Sequence, residues 1–295
     1  MTLIDKDQTS MTPCLAFVLG GGGARGAFQV GALRALHEAG LRPDLLVGCS
    51  IGAVNAAAIA LWGYDETGLY GLELAYQKVA ASDILDLNMS RLAMQAISGR
   101  LSFDSGKRAA SFLIATGITP DLTFGDLTGP RLALVGADLE TGESVIYGLD
   151  PTESILAGVL ASMSIPPWFA PIEKDGHFIM DGGALSNLPV EPALRMGATE
   201  IIALDIDDPA AYPGGDNSFV HFLRRLWYGL GQRSLSLELD LAEARGVPVR
   251  RIELRSPAAT AMWDFSDYPG LIRSGYEQTR EWVGGNYELR ITNYE

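Results

Sequence analysis

The feature that most constrains this fold is a continuous apolar run that ends in four consecutive glycines. Residues 15–19 are apolar at every position, as in a strand that is buried on both faces of a parallel sheet. The glycines at 20–23 follow, and apolar or small residues then recur at helical spacing over residues 28–39, before Gly40 ends the helix. A strand, a glycine turn and a helix in this order are typical of an α/β protein.

Further apolar runs alternate with helical patterns, which predicts three layers, α/β/α, around a mostly parallel central sheet. The predicted strands after the first are residues 45–47, 131–138, 144–147, a hairpin over 172–180, 200–205 and 250–254. The later predicted helices are residues 51–61, 219–245 and 269–283, with a helical cap over the sheet from residues 63–128. Because no repeat or low-complexity linker interrupts the pattern, we expect one domain over residues 14–295 after a flexible leader, residues 1–13.

The charge balance restricts the partners of the chain. There are 22 Lys and Arg against 36 Asp and Glu, which gives a formal net charge of −14. A general nucleic-acid binder needs a basic face, so that class is excluded. The same balance argues against strong electrostatic attachment to anionic lipid, although a local apolar patch could still make transient contact with a membrane surface.

Hydropathy and cysteine usage predict a cytoplasmic protein. The start of the chain lacks the apolar run of a secretory signal, and no apolar stretch reaches the roughly 20 residues that span a bilayer. Two cysteines are too few for a disulfide framework or a zinc cage. We expect Cys14 and Cys49 near opposite ends of neighbouring parallel strands, roughly 15 Å apart and therefore unpaired.

The glycine-rich loop allows more than one interpretation. Gly21, Gly23 and Gly26 satisfy the G-x-G-x-x-G pattern of dinucleotide-binding proteins. That interpretation also needs an acidic residue at the end of the second strand to bind a ribose hydroxyl, and this strand leads to Ser50 without a carboxylate. Alternatively, the backbone N–H groups of the loop bind an oxyanion at the helix N-terminus. A tight turn without a ligand is the remaining alternative.

The second strand leads into a G-x-S-x-G motif, Gly48-Cys49-Ser50-Ile51-Gly52, at the start of the next helix. This placement is typical of a nucleophile elbow, in which a sharp turn exposes the serine oxygen and the glycines let strand and helix approach. The N-terminal end of the helix dipole favours the ionised oxygen. Because the carboxyl ends of adjacent parallel strands lie at one edge of a sheet, we expect Ser50 and the glycine loop to converge on one crevice.

A serine nucleophile needs a proton acceptor, and the sequence offers histidines or an aspartate. His37, His177 and His221 have no motif around them, and His177 lies about 13 Å along its strand from Asp181. Asp181 ends the predicted hairpin and is followed by two glycines, a turn from which a carboxylate can project. Desolvation would raise the pKa of this carboxyl from its ordinary value of about 3.9 and make it a better base. An Asp-Gly-Gly loop without a chemical role is the alternative.

In combination these motifs resemble the patatin-like phospholipase family. The matching segments, in the family's order, are the glycine loop 21–26, the serine motif 48–52, Ser162 with Pro166, the triplet 181–183 and the segment 187–190. The resemblance covers residues 15–283 and is least characteristic over residues 63–128. Three motifs in sequence are far more specific than any one of them.

The resemblance implies an α/β/α fold and a Ser–Asp dyad, with Ser50 as nucleophile and Asp181 as general base. It implies an oxyanion hole made by backbone amides of the glycine loop, chiefly those of Gly22 and Gly23. It implies neither a metal nor another cofactor. The other implied site residues are Gly21, Ala24, Arg25 and Gly26 in the loop, and Gly48, Gly52, Gly182 and Gly183 as supports of the two catalytic turns.

Motif and resemblance together predict a serine hydrolase that acts on acyl esters of lipids. Met163, Ile165, Trp168 and Phe169 are candidates to line an acyl groove, with simple packing as the alternative. Arg25 either binds a lipid phosphate or, as the commoner role, braces its loop by pairing with a carboxylate. Two other classes stay open: a nucleotide-cofactor-binding protein of Rossmann type, and a patatin-fold scaffold without catalytic activity.

One apolar stretch, residues 219–228, contains two arginines and lies in the longest predicted helix. Such a stretch packs against a sheet in most proteins, because a helix on a sheet needs an apolar stripe. It also has the composition of a helix that lies on a lipid surface. Packing in the core is the favoured interpretation.

Overall fold

The computed structural model describes residues 12–82, 103–166, 168–206, 219–256 and 260–285. Most of the predicted leader and part of the predicted cap over residues 63–128 lie outside the described residues. The strands are β1 (Leu15–Leu19), β2 (Leu45–Cys49), β3 (Arg131–Asp138), β4 (Glu143–Tyr147), β5 (Ile172–Lys174), β6 (His177–Asp181), β7 (Glu200–Asp205) and β8 (Val249–Glu253). The α-helices are α1 (Ala27–Glu38), α2 (Ile51–Trp62), α3 (Glu66–Ala80), α4 (Phe103–Ala115), α5 (Ile155–Ser162), α6 (Val190–Arg195), α7 (Phe219–Ala244) and α8 (Tyr268–Gly285).

The strands form one sheet with the order β5-β6-β3-β2-β1-β7-β8, and β4 pairs with β3. β1 is central and lies parallel to both β2 and β7, and the pairs β2–β3 and β7–β8 are also parallel. The antiparallel pairs, β3–β4, β3–β6 and β5–β6, are confined to one side of the sheet. The described sheet is therefore mixed but mostly parallel, as its apolar strands predict.

Two strands meet end to end along β3, and this arrangement positions the site. β2 pairs with the first part of β3, and β6 pairs with the last part in the antiparallel direction. Because β4 occupies the other edge of β3, β2 and β6 lie on the same edge. Cys49, which ends β2, is opposite Val135, and Asp181, which ends β6, is opposite Gly136. The ends of two strands that are distant in sequence are therefore neighbours.

Helices cover both faces of the sheet and give the predicted three layers. Side chains alternate between the faces of a strand, so Phe17 and Leu19 of β1 point to one layer, and Ala16 and Val18 point to the other. The first layer contains α1, α2, α3, α5 and α8, together with Leu113 of α4. The second contains α6 and α7. The described part of the predicted cap, α3 and α4, thus packs in the first layer.

Two helices of the first layer cross at unusually close range. A Cβ atom at Gly31 of α1 would collide with the carbonyl oxygen of Ile272 in α8, and one at Gly275 would collide with that of Phe28. Because neither glycine has a side chain, the backbones of α1 and α8 can come into direct contact. Because α1 begins at the end of the glycine loop, this contact anchors the helix behind the loop.

The predicted hairpin and the unpaired cysteines are both present in the structure. Asp175 and Gly176 join β5 to β6, both at positive φ, as a two-residue hairpin turn requires. Cys14 and Cys49 are buried and unpaired, as predicted. None of the helices in the described ranges is long and apolar enough to cross a bilayer.

The long helix α7 departs from the favoured interpretation of its sequence. Phe222 and Leu226 have exposed side chains, so core packing is wrong for these two residues of the stretch 219–228. Leu235 and Ala242, further along the same helix, are the residues that pack against the sheet. Among the side chains of α7 that the structure describes, the buried ones therefore lie in the C-terminal part of the helix.

Candidate active site

Ser50 occupies a strained turn between β2 and α2. Its φ of 55° and ψ of −124° place a non-glycine residue in a region that L residues rarely adopt. The Ser50 N–H donates to Oγ of Ser162 at 2.9 Å, and that hydroxyl donates to the carbonyl oxygen of Val135 at 2.6 Å. Ser162 is fully buried, so this relay ties the turn to β3 and α5. The elbow predicted from the motif is present in the structure.

The glycines on either side of Ser50 allow β1, β2 and α2 to approach closely. A Cβ atom at Gly48 would collide with the backbone of Gly52 and Ala53, and one at Gly52 would collide with the carbonyl of Leu19. Backbone atoms cannot move away as a flexible side chain can. Close backbone contact therefore requires glycine at both positions.

Asp181 ends β6 beside this turn and is almost completely buried. Its Oδ1 accepts the N–H of Gly183 at 2.8 Å and the thiol of Cys49 at 3.8 Å. Burial raises the pKa of this carboxyl to about 6, against hydrogen bonds from Ser50, Gly183 and Cys49 that lower it. An aspartate of this kind is a more effective base near neutral pH than an exposed one.

The contact between Ser50 and Asp181 is looser than an ideal hydrogen bond. The Ser50 hydroxyl is close enough to lower the pKa of Asp181, yet Oδ2 of the carboxylate has no partner with ordinary hydrogen-bond geometry. Catalytic hydrogen bonds are often long in unliganded proteins and shorten when substrate binds. In this structure the two side chains are therefore adjacent rather than firmly bonded.

The glycine loop between β1 and α1 offers two unused amides. The N–H of Gly21 donates to the carbonyl of Asn187 at 3.0 Å, and the N–H of Ala24 donates to that of Met262 at 2.6 Å. Within the described residues the N–H groups of Gly22 and Gly23 have no acceptor, and both glycines are partly exposed. The amides of Gly22 and Gly23 are therefore available to a ligand.

Ser50, Asp181 and the loop glycines 21–23 line one cavity of about 190 Å³. Most of the other lining groups are apolar and come from several elements, including Val54 of α2, Leu235 of α7 and Phe265 before α8. A mainly apolar cavity with a few converging polar groups is the usual form of a small-molecule site. This one has room for an apolar chain beside the serine.

Comparison with known protein families identifies the family of this chain. Residues 17–194, more than half of the chain, match the family model described as patatin-like phospholipase. The chain belongs to the patatin-like phospholipase family. The matched range includes both Ser50 and Asp181.

Relatives agree with this family, and a solved structure shares the fold. The chain is 36% identical over 196 residues to mouse patatin-like phospholipase domain-containing protein 7, covering 65% of this chain and 13% of that protein. It is 31% identical over 242 residues to an uncharacterised NTE family protein of Mycobacterium bovis, covering 81% of this chain and 61% of the relative. It is 32% identical over 200 residues to Drosophila melanogaster neuropathy target esterase sws, covering 65% of this chain and 13% of that protein. Human GIVD cytosolic phospholipase A2 shares the fold, with a TM-score of 0.55 at 12% identity over 95% of this chain and 59% of that one.

The predicted acyl-groove residues of this patatin-like chain divide into two pairs. Met163 and Ile165 line the cavity. Trp168 and Phe169 are not among the lining residues and instead pack against the ring of Trp263, with ring centroids 5.4 and 6.1 Å apart. Trp263 itself lines the cavity, so the second pair supports the wall from behind.

The described histidines lie away from the cavity lining. Nδ1 of His177 is 2.7 Å from Oδ2 of Asp138, and the His37 ring contacts Tyr64. His221 lies in α7, and its side chain is outside the described part of the structure.

Arg25 is buried, and its Nε donates to the carbonyl of Gly22 at 3.3 Å, a contact within the loop that agrees with a bracing role.

A buried polar network behind the loop was not predicted. Nε2 of Gln29 donates to the carbonyl of Gly20 at 2.8 Å, and Nδ2 of Asn55 donates to the carbonyl of Gly26 at 3.1 Å. Asn55 also donates to Gln29 and accepts the hydroxyl of Tyr76. Because buried polar groups need partners, the network holds both ends of the loop to α1, α2 and α3. The sequence signal was a lone asparagine in the alanine-rich helix α2.

A buried acid, Glu238 of α7, also lines the cavity and was not singled out from sequence. Its Oε2 accepts the N–H of Glu191 at 2.7 Å, and its Oε1 lies 3.4 Å from Oγ of Ser234. The Ser234 hydroxyl donates to the carbonyl of Leu185. Burial raises the pKa of Glu238 to about 7. These contacts tie α7 to the segment that follows Asp181.

The part of the chain that the structure describes contains no group of three or more His, Cys, Asp or Glu side chains that could hold a metal ion. The acid that a ribose hydroxyl would require has no counterpart at the end of β2, where Ser50 stands. The side chains and amides of the cavity can attack a carbonyl carbon, accept a proton and bind an oxyanion.

Proposed function

We propose that this protein hydrolyses carboxylic esters of lipids, with Ser50 as nucleophile and Asp181 as general base. The observation that carries the proposal is the meeting of β2 and β6 along β3, which brings these two side chains into one cavity with two unused amides. Membership of the patatin-like phospholipase family supports a lipid ester as the substrate class. Relatives named as phospholipase and esterase support the same class.

In the first half of the reaction the ester carbonyl lies beside Ser50. Oγ of Ser50 attacks the carbonyl carbon while Asp181 accepts the hydroxyl proton. The carbonyl oxygen becomes an oxyanion that the N–H groups of Gly22 and Gly23 bind. The tetrahedral intermediate then collapses, the alcohol leaves with the proton from Asp181, and the acyl group stays on the serine oxygen. One oxyanion donor is typically worth about 10²–10³ in turnover.

The second half returns the enzyme to its starting state. A water molecule gives a proton to Asp181 and attacks the acyl carbon, and the oxyanion binds to the same two amides. Collapse of this intermediate breaks the bond to Oγ of Ser50, which recovers the proton from Asp181. The products are the free fatty acid and the alcohol, and no redox step or added co-reactant besides water is needed.

The decisive experiment compares Ser50→Ala with wild type on phospholipid, monoacyl and short-chain nitrophenyl esters. We expect loss of turnover on every ester, because the nucleophile is absent. A fluorophosphonate should label wild-type protein once, on the peptide that carries Ser50, and should not label the variant. Ser111→Ala is the matched control, since Ser111 is an exposed serine on α4.

Two results would overturn the proposal. Wild-type turnover in Ser50→Ala would place the chemistry elsewhere. Well-folded wild-type protein that neither turns over these esters nor takes the label would favour a scaffold without catalytic activity.

A further inference from the structure

The helix α7 presents two chemically different faces. Tyr228, Gly231, Gln232, Leu235 and Glu238 line the Ser50 cavity. Phe222, Leu226, Leu230 and Leu237 instead have between 48% and 60% of their surface exposed. At 100° per residue the exposed set falls within about a quarter of the helix circumference, roughly opposite the lining set.

The exposed set forms one face of the helix, which we call the α7 stripe: Phe222, Leu226, Leu230 and Leu237. From the first to the last residue the stripe is roughly 22 Å long at 1.5 Å per residue. Scattered exposed apolar residues need no explanation, but four on one helix face mark a contact surface.

Charge around the α7 stripe is opposite in sign to the chain as a whole. The sequence from 219 to 237 contains three arginines and neither Asp nor Glu, although the whole chain has a net charge of −14. Both Arg225 and Arg233 have exposed side chains: by the same helical spacing Arg233 lies on the stripe face between Leu230 and Leu237, and Arg225 lies at its edge. Guanidinium groups bind phosphate oxygens well, so an apolar stripe with arginines on and beside it is complementary to lipid tails below a layer of headgroup phosphates.

We propose that the α7 stripe is the surface by which this protein docks on a phospholipid bilayer. The inference rests on the proposed function, because a helix that walls the catalytic cavity on one side would then face the source of the lipid on the other. A second copy of the chain fits less well. In a two-fold dimer the same patch meets itself, which would bring the arginines of one copy towards those of the other.

The net charge limits how this docking operates. A chain with a charge of −14 is repelled by an anionic membrane at long range, but exposed charges are screened beyond about 8–10 Å at physiological salt. Within that distance the arginines act locally, and apolar insertion supplies the main attraction. Binding to phosphatidylcholine vesicles should therefore be measurable and should rise only moderately when phosphatidylserine is added.

The test measures co-sedimentation with phosphatidylcholine vesicles, with and without phosphatidylserine, in a Ser50→Ala background so that lipid is not consumed. The double variant Leu226→Ser, Leu230→Ser should lower the partition coefficient about tenfold or more, since two large apolar side chains no longer enter the bilayer. Arg225→Gln with Arg233→Gln should lower it several-fold, and high salt should remove that difference. Leu149→Ser is the matched control, because Leu149 is 56% exposed and outside α7.

The outcomes separate the docking surface from the proposed function. On a monomeric short-chain ester, the leucine double variant with Ser50 intact should keep wild-type turnover, and on vesicle lipid it should lose activity. Vesicle binding by the double variant equal to that of the parent would overturn the docking proposal, as would absence of binding by the parent. A wild-type dimer that the double variant converts to monomer would assign the stripe to a second copy. Failure of hydrolysis with intact vesicle binding would overturn only the proposed function.

Discussion

The titration of Asp181 controls whether the proposed base is available. Burial holds the pKa of this carboxyl at about 6, above its ordinary value, so the carboxylate form that can accept a proton dominates only above that pH. We predict that kcat/KM on a soluble nitrophenyl ester rises with pH through about 6 and levels off above about 7. A pH–rate profile of wild type measures the midpoint. A flat profile from pH 5 to pH 8 would contradict the assignment of Asp181 as base.

Cys49 provides a matched pair of variants for the same profile. Its thiol donates to Oδ1 of Asp181 and lowers the pKa of the carboxyl. Cys49→Ala removes that donor and should move the midpoint to higher pH, whereas Cys49→Ser keeps a stronger donor and should move it lower. A shift in the same direction for both variants would show that the thiol acts through packing alone.

At the scale of the elements, the crossing of α2 over β1 depends on Gly52. A Cβ atom there would collide with the carbonyl of Leu19, so we predict that Gly52→Ala lowers the free energy of unfolding by about 3 kcal/mol or more. Gly229→Ala is the control, since nothing lies near its Cβ position and alanine is the better helix former in α7. That variant should raise stability by about 0.5–1 kcal/mol. Denaturant unfolding of both variants measures the difference, and equal effects would contradict the close crossing.

For the whole molecule, a buried acid with a raised pKa makes folding stability depend on pH. Glu238 has a pKa of about 7 in the fold and an ordinary glutamate pKa when unfolded, so between about pH 4.5 and 7 the folded state binds more protons. Its contribution to stability is therefore lost as pH rises through that window, by on the order of 3 kcal/mol. We predict that Glu238→Gln unfolds at a higher temperature than wild type at pH 8 and shows a smaller fall in Tm from pH 5 to pH 8.

The glutamine can keep the contacts of Glu238, because its oxygen can accept the N–H of Glu191 and its amide can donate to Ser234. Glu243→Gln, an exposed glutamate on the same helix, is the control for the loss of one negative charge. If both variants change the pH dependence of Tm equally, general charge repulsion rather than burial accounts for it.

The amino-acid sequence by itself determined the local parts of this protein. The apolar run before the glycine loop, the elbow around Ser50 and the turn after Asp181 all depend on residues that are close in the chain, so backbone preferences and periodicity predict them. The bounds of β3 and β7 follow from their apolar runs for the same reason. The order of the motifs along the chain also indicates the family without reference to the fold.

Only the tertiary structure decided which of these parts work together. Asp181 reaches Ser50 because β2 and β6 share one edge of β3, and strand register depends on packing across the whole sheet. The amides of Gly21 and Ala24 donate to the carbonyls of Asn187 and Met262, which are distant in sequence. Between them, the amides of Gly22 and Gly23 have no acceptor among the described residues. The exposed face of α7 likewise depends on which stripe the sheet buries. Each of these outcomes depends on contacts between residues that are far apart in sequence. A local sequence pattern does not determine the free energies of such contacts.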